Sequence, residues 1–140
     1  MLPQFMAHDE VRRESGVSQV VDISGAQGHP LLLTLGITRI IQQESLDVEI
    51  YGSPDGEFWT SRPIAVFPKK YYCGTYSILL DSSDLTGIRF LRAAWKMCYW
   101  GCAPVRPLFS FYLWASPTTH EAELSTGTAP QYMIPASSIV

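Results

Sequence analysis

The sequence predicts an all-β fold, built as an antiparallel β-sandwich or jelly roll. Seven or eight short segments are rich in β-branched, aromatic and other apolar residues, and turn sequences separate them at regular spacing. The clearest segment is residues 46–51, where apolar and polar side chains alternate as in a strand with one buried face. With 140 residues, of which 46% are hydrophobic and 16% charged, the chain can bury a core without disulfide bonds.

The first predicted strands lie before residue 42. Residues 17–23 alternate in polarity, and the following residues 24–30 contain the Gly and Pro that interrupt a strand. Residues 31–41 are rich in Leu, Ile and Thr, which favours a strand over a helix. Gly36 interrupts this run, so the sequence predicts either two strands or one bent strand with a bulge.

Residues 46–67 are predicted to form a β-hairpin. The sequence SPDG at residues 53–56 has turn chemistry, because Pro fixes φ, Asp accepts backbone hydrogen bonds and Gly tolerates a positive φ. An apolar pattern restarts at Phe58 and predicts the second strand. Pro63 and Pro68 restrict that strand to an edge position or a bulge.

Three further strands complete the predicted sandwich. Residues 76–80 alternate in polarity and end at the turn sequence DSSD of residues 81–84. Residues 88–100 carry apolar side chains on both faces, as expected of a central strand. Residues 109–114 alternate again and are predicted to form the last strand.

The predicted sandwich domain covers residues 17–116, with an extension at each end. Residues 1–16 are mostly polar and are expected to form an N-terminal arm. Residues 117–140 contain no Lys or Arg and are rich in Thr, Ser, Ala and Pro, which predicts an extended C-terminal tail.

Charge and hydropathy argue against several classes of partner. The net charge is −3 and there is no run of Lys or Arg, so neither a nucleic acid nor an anionic membrane has an electrostatic basis for binding. Because no segment resembles a signal peptide or a membrane span, the sequence predicts a cytoplasmic protein. The odd number of cysteines, three, agrees with a reducing compartment.

The sequence lacks the patterns typical of catalysis or metal binding. His8, His29 and His120 are scattered and have no neighbouring residues that would complete a triad. Cys98 and Cys102 are four residues apart, but a structural zinc ion needs four ligands. We therefore expect a protein without a cofactor, without a bound metal and without enzymatic activity.

The strongest candidate for binding is the segment of residues 95–106. Tyr99 and Trp100 supply flat apolar faces, while Lys96 and Arg106 supply hydrogen-bond donors. Aromatic and basic side chains beside a loop with Gly and Pro are typical of a surface that stacks on a sugar or docks on a protein. The alternative is structural, with Trp100 capping one end of the sandwich.

Tyr71 and Tyr72 form a second candidate surface, directly after Lys69 and Lys70. Tyr is favoured at interfaces because it combines a large apolar area with a hydroxyl group. The alternative is an edge strand whose lysines protect it against aggregation.

Three segments resemble the discoidin-type, galactose-binding-like β-sandwich domains. Residues 48–59, VEIYGSPDGEFW, are similar to their strand–turn–strand unit, and residues 87–92, GIRFLR, are similar to a later strand. Residues 107–116, PLFSFYLWAS, correspond to their last strand. The resemblance implies the same sandwich fold and a carbohydrate ligand. The blocks GITRI, ESLDV, YCGTY and LRAAWK also resemble uncharacterised bacterial proteins, from which no activity follows.

These observations together predict a non-catalytic structural or protein-interaction module, acting as a subunit of a homo-oligomer or a larger assembly. Its contacts would come from the loops, the arm and the tail. The alternative is a carbohydrate-binding module of the galactose-binding-like type.

Overall fold

The computed structural model describes residues 2–26, 28–101 and 106–118, and these contain nine β-strands. The strands are β1 (Gln4–Arg12), β2 (Gly16–Val17), β3 (Val21–Asp22), β4 (Leu31–Ile40), β5 (Glu44–Ser53), β6 (Ala65–Lys70), β7 (Gly74–Leu80), β8 (Phe90–Tyr99) and β9 (Phe109–Pro117). A short 3₁₀ turn spans Ser24–Ala26.

The strands form two antiparallel sheets that pack face to face. The first sheet has the order β1-β9-β4-β7. The second has the order β2-β8-β5-β6, and β3 also pairs with β8. The prediction of an all-β antiparallel sandwich is therefore confirmed.

The core lies between the inner faces of the two sheets. Alternate residues of each long strand point inward, as the period of two in a strand requires. Each large aliphatic side chain buried there contributes about 1.5–3 kcal/mol relative to an exposed one. The fully buried inner residues include Leu31, Leu33, Leu35, Leu46, Val48, Ile50, Leu91, Ala93, Phe109, Phe111 and Leu113.

The predicted N-terminal arm is wrong for most of its length, because β1 is an edge strand of the first sheet. It pairs with β9, and Met6 and Ala7 are buried in the core. The register shifts twice along this pair, between Phe5 and Ala7 and between Ala7 and Glu10. These irregularities disrupt the period of two, which is why the sequence pattern of the strand is hard to recognise.

The predicted end of the sandwich domain, residue 116, lies one residue before the end of the last strand. Strand β9 ends at Pro117, and the Thr118 amide donates a hydrogen bond of 2.9 Å to the Pro30 carbonyl. Residues 119–140, which include most of the predicted tail, lie outside the described residues.

The predicted hairpin is confirmed in its pairing but not in the start of its second strand. β5 pairs with β6, yet β6 begins at Ala65, and Phe58 belongs to the long connection. The turn chemistry is confirmed: the Ser53 hydroxyl accepts a hydrogen bond from the Gly56 amide at 2.7 Å. The Asp55 carboxylate accepts from the Glu57 amide at 2.8 Å and from the Phe58 amide at 3.0 Å.

The strand predicted at residues 17–23 is observed as two two-residue strands, β2 and β3, while the strands predicted at residues 31–41, 76–80, 88–100 and 109–114 agree with the structure in type and position. β4 runs without a break through Gly36, and its register against β9 shifts just beyond, between Ile37 and Arg39. β8 is a central strand between β5 and the short strands β2 and β3. β6 carries Pro68 at a sheet edge, beside an irregularity in its pairing with β5, as this proline requires.

Candidate functional site

Three exposed aromatic rings meet at one end of the second sheet, and we call Tyr71, Tyr72 and Trp100 the end patch. The ring centroids of Tyr71 and Trp100 are 6.0 Å apart, and those of Tyr71 and Tyr72 are 6.4 Å apart. The three residues keep 45%, 74% and 53% of their surface exposed, respectively. Trp100 and the Tyr71–Tyr72 pair, predicted as separate candidates from the sequence, therefore lie on one surface.

The sheet topology explains why these residues meet. β6 and β8 flank β5, and both are antiparallel to it, so they run in the same direction and leave the sheet at the same end. Leu46 of β5 pairs with Lys70 on one side and with Met97 on the other. Tyr71 follows the last residue of β6, and Trp100 follows the last residue of β8.

Backbone hydrogen bonds and ring contacts hold the end patch in place. The Trp100 amide donates a hydrogen bond of 2.9 Å to the Gln43 carbonyl. The Tyr76 hydroxyl donates to the Tyr72 carbonyl at 3.3 Å. The Lys70 ammonium lies 3.8 Å from the centroid of the Tyr76 ring, and burial lowers the pKa of Lys70. The patch is thus supported by residues on three different strands or their ends.

Tyr99 and Arg106, also predicted as binding residues, lie together on a different surface. They line a cleft of about 440 Å³ at the same end of the sandwich, together with Arg13 and Gln43. Trp100 does not line this cleft. Residues 102–105 of the predicted binding segment, including Cys102, lie outside the described residues.

The buried carboxylate of Glu44 connects two backbone segments at this end of the sandwich. Glu44 retains 2% of its surface exposed. Its Oε2 accepts a hydrogen bond from the Ile41 amide at 3.0 Å, and its Oε1 accepts from the Leu108 amide at 2.9 Å. Burial raises the pKa of Glu44. The carboxylate thus joins the first residue of β5 to the turn before it and to the segment before β9. This is a structural role.

Lys96 lies apart from the end patch, although the sequence grouped it with Trp100. It pairs with Asp47 across β8 and β5, on the outer face of the second sheet. Asp47 also forms an ion pair of 3.4 Å with Lys69. Lys96 therefore belongs to a charged surface on the sheet, four residues before Trp100.

An aromatic cleft on the outer face of the first sheet was not predicted from the sequence. We call it the sheet-face cleft; it has a volume of about 410 Å³ and is lined by Phe5, Asp9, Thr34, Tyr112 and Trp114. The Phe5 ring centroid lies 4.6 Å from that of Trp114 and 6.0 Å from that of Tyr112. The Phe5 and Tyr112 rings are almost perpendicular, at 89°.

Gly36 allows the Tyr112 ring of the sheet-face cleft to lie close to the sheet. It pairs with Tyr112 across β4 and β9, and a Cβ atom at Gly36 would collide with the Tyr112 ring. The ring therefore lies across the glycine, close to the sheet surface. A glycine within a strand is a signal for such a close approach, and the alternating Tyr112 and Trp114 were visible in the sequence. Phe5 was missed because its segment was interpreted as an arm.

The turn carboxylates have structural partners. Asp81 accepts hydrogen bonds from the Ser83 amide at 2.9 Å and from the Asp84 amide at 3.1 Å. Hydrogen bonds from Ser83 and Asp84 lower the pKa of Asp81, and those from the amides of Phe58 and Glu57 lower the pKa of Asp55.

Within residues 2–26, 28–101 and 106–118, no group of three or more His, Cys, Asp or Glu side chains is placed to hold a metal ion. The same residues contain no helix with the length and apolar character needed to cross a membrane.

Comparisons with known proteins concern the fold alone. Neither a scan against protein-family models nor a search of curated proteins finds a match. Among solved structures, the chain is similar to the crystal structure of the SPBc2 prophage-derived protein YomS. The alignment covers 83% of this chain and 96% of that one, with 8% sequence identity and a TM-score of 0.44. A likeness at this level carries no functional argument.

Proposed function

We propose that this protein is a non-catalytic interaction module that assembles with further copies of itself through the end patch. The observation that carries the proposal is the contact among three exposed aromatic rings from two separate strand ends. Single exposed apolar residues are normal on a protein surface, whereas a contiguous exposed cluster marks an interaction site.

The chemistry of the end patch suits a protein partner. Tyr and Trp are enriched at the centres of protein interfaces, where their rings fill pockets on the partner. The rings carry no charge, so two copies can place their patches against each other without bringing like charges together at the centre. Because hydrogen bonds to Gln43 and Tyr72 already fix the supporting backbone, docking orders few additional groups.

Three carboxylates with shifted pKa values, those of Glu44, Asp55 and Asp81, are bound by groups of the fold itself, which is compatible with a non-catalytic role. Shifted pKa values at active sites arise where charged groups surround a cleft. Here the shifts of Asp55 and Asp81 come mainly from hydrogen bonds within their own turns. Glu44 binds two backbone amides. Each of these groups already has a structural task.

The proposal includes a cytoplasmic location, which two exposed cysteines support. Cys73 and Cys98 are free thiols at the surface. Exposed thiols are compatible with a reducing compartment, whereas oxidising compartments favour their pairing into disulfides.

Carbohydrate binding is a second candidate function, supported by the exposure of Trp100 and by the resemblance to galactose-binding-like domains. The Trp100 and Tyr71 rings meet at 73°, so they form a corner and not a flat platform for a sugar. A glycan array with the wild type and Trp100→Ala tests this candidate. Binding that is lost in the variant supports it, and unchanged binding excludes Trp100 as the sugar site.

The proposal is tested by measuring the mass of the full chain in solution by light scattering over a range of concentrations. We expect the wild type to form a dimer or larger assembly and the double variant Tyr72→Ser/Trp100→Ser to run as a monomer. Phe58→Ser is the matched control, since Phe58 is 75% exposed and follows the opposite end of β5. A monomeric wild type, or an assembly that the double variant preserves, contradicts the proposal.

A further inference from the structure

The side chains of the sheet-face cleft form an unusual combination for a protein surface. Three aromatic rings, of Phe5, Tyr112 and Trp114, surround a space of about 410 Å³, which lies in the range of small-molecule sites. Asp9 and Thr34 complete the lining, whose accessible surface is almost entirely apolar. The cleft is therefore almost wholly aromatic, with a single anionic group at its side.

The ring geometry offers several aromatic surfaces to one ligand. Phe5 and Tyr112 stand at 89° and Phe5 and Trp114 at 65°, so the rings form a corner instead of a flat stack. Aromatic faces carry a negative quadrupole that attracts a cation within about 6 Å of the ring centroid. With centroids 4.6 Å and 6.0 Å apart, a ligand in this corner can contact more than one ring at once.

Asp9 adds a net negative charge beside these rings. Its Oδ1 accepts a hydrogen bond of 3.0 Å from the Thr38 hydroxyl, whose single hydrogen also has the Ser110 carbonyl within reach at 3.2 Å. Among the described residues Asp9 forms no ion pair with a Lys, Arg or His. The nearest paired carboxylate on β1, that of Glu10, is bound by Arg12 instead, at 3.6 Å. The charge of Asp9 is thus available to a ligand.

We propose that the sheet-face cleft binds the trimethylammonium group of a small molecule. Such a group is cationic yet apolar on its surface, so it gains from aromatic faces and from a carboxylate without requiring hydrogen-bond acceptors. A primary ammonium is strongly hydrated and needs acceptors for three donors, while a sugar needs several polar partners. The cleft supplies only Asp9 and Thr34 for such bonds. The site is separate from the end patch and does not depend on the function proposed for it.

The structural role of the rings supplies the competing explanation. Phe5 and Trp114 are direct cross-strand partners, and their contact holds the edge strand β1 against β9. If the rings served only to stabilise this strand pairing, the cleft would show no preference for a cation over a neutral molecule of the same shape. The experiment therefore compares two such ligands.

The test titrates the isotope-labelled full chain with choline chloride and, in parallel, with the neutral analogue 3,3-dimethylbutan-1-ol, at constant ionic strength. The signal is the Trp114 indole resonance, assigned with the variant Trp114→Phe, which keeps an aromatic ring against Phe5. We expect choline to shift this resonance saturably and to bind at least about threefold more tightly than the neutral analogue.

Asp9→Asn provides the second measurement, because it removes the charge and keeps an oxygen that can accept from Thr38. We expect it to weaken choline binding at least about threefold and to leave the neutral analogue unchanged. Phosphocholine and the free amino acid trimethyl-lysine carry the same group, and binding of either supports the proposal and identifies the source. No choline binding at tens of millimolar, equal affinity for both ligands, or unchanged choline affinity in Asp9→Asn overturns the proposal.

Discussion

The end patch and the sheet-face cleft are each built from three aromatic side chains, but their surroundings differ. Tyr71, Tyr72 and Trp100 project from strand ends and keep between 45% and 74% of their surface exposed. Phe5, Tyr112 and Trp114 lie half-buried against the face of the first sheet, beside a carboxylate. The first surface carries no charge on its three rings, and the second is an open, largely apolar cleft with Asp9 among its lining residues.

The two proposals assign different ligands to clusters of the same residue type, on the basis of these different surroundings. Rings at a strand end can enter pockets of a large partner, and this is how hot-spot residues act at protein interfaces. For the second surface we propose that rings lying across a sheet line an open cleft and that a neighbouring charge selects the ligand. Substitutions that disturb one surface and spare the other can test this distinction.

The largest effect on stability is expected from substituting Glu44, which lies at the end of the sandwich that carries the end patch. Glu44→Leu removes both acceptors of the Ile41 and Leu108 amides and leaves two partly buried donors without these partners. We expect the free energy of unfolding to fall by about 2–4 kcal/mol, since each unsatisfied buried group costs about 1–3 kcal/mol and these two donors are only partly buried. Urea unfolding measures this change, and Gln42→Leu, at an exposed position, serves as the control. Equal stability of the two variants would show that the carboxylate does not hold this end together.

A smaller loss is expected from a change under the sheet-face cleft. Gly36→Ala places a methyl group where the Tyr112 ring lies, so the ring must move. We expect a loss of about 1–3 kcal/mol in the free energy of unfolding, as for other overpacked sites, and weaker choline binding. Assembly through the end patch is expected to persist.

The matched control for this change is Gly25→Ala, because an added Cβ at Gly25 contacts nothing within 4 Å. Urea unfolding and the choline titration are measured on both variants. A Gly36→Ala protein that binds choline as tightly as the wild type would show that the position of Tyr112 does not shape the cleft.

The smallest effect on the free energy of unfolding is expected for Asp55, in the turn that follows β5, and this effect depends on pH. Hydrogen bonds from the Phe58 and Glu57 amides hold the pKa of Asp55 below its ordinary value of 3.8. The folded protein therefore binds fewer protons there than the unfolded chain, so this stabilisation is present above pH 3.8 and is lost as the pH falls through the folded pKa. We expect Asp55→Asn to be less stable than the wild type near neutral pH, with the difference shrinking below pH 3.8.

Unfolding at a series of pH values measures this difference, and neither aromatic surface is expected to respond to it. A difference between Asp55→Asn and the wild type that stays constant down to acid pH would show that these hydrogen bonds do not favour the charged carboxylate.

The fold could be predicted from the sequence where strands are regular and turns have specific chemistry. Residues 46–53 alternate in polarity and end at a Ser–Pro–Asp–Gly turn. Strand β5, and its pairing with the strand that follows the turn, were therefore recognisable. Strand β1 was not, because its two register shifts break the alternation and its polar residues resemble an arm. Local patterns describe regular elements well and bulged edge strands poorly.

The candidate sites depended on long-range geometry that a local pattern does not contain. Tyr71 and Trp100 were each recognised, but their contact follows from β6 and β8 lying on the two sides of β5. Lys96 was grouped with Trp100 by sequence proximity, although it faces Asp47 in the middle of the sheet. The sheet-face cleft requires β1 beside β9, so the incorrect arm also concealed the site.

Thiol cross-linking tests the proposed assembly most directly, because Cys73 follows Tyr72 at the end patch and is exposed. In a Cys98→Ser/Cys102→Ser protein, Cys73 is the one remaining cysteine. We predict that a short bismaleimide joins two copies through Cys73 and that adding Tyr72→Ser/Trp100→Ser abolishes the cross-linked dimer. A protein that forms no dimer, or forms it equally with and without the aromatic rings, would contradict the account of the end patch as an assembly surface.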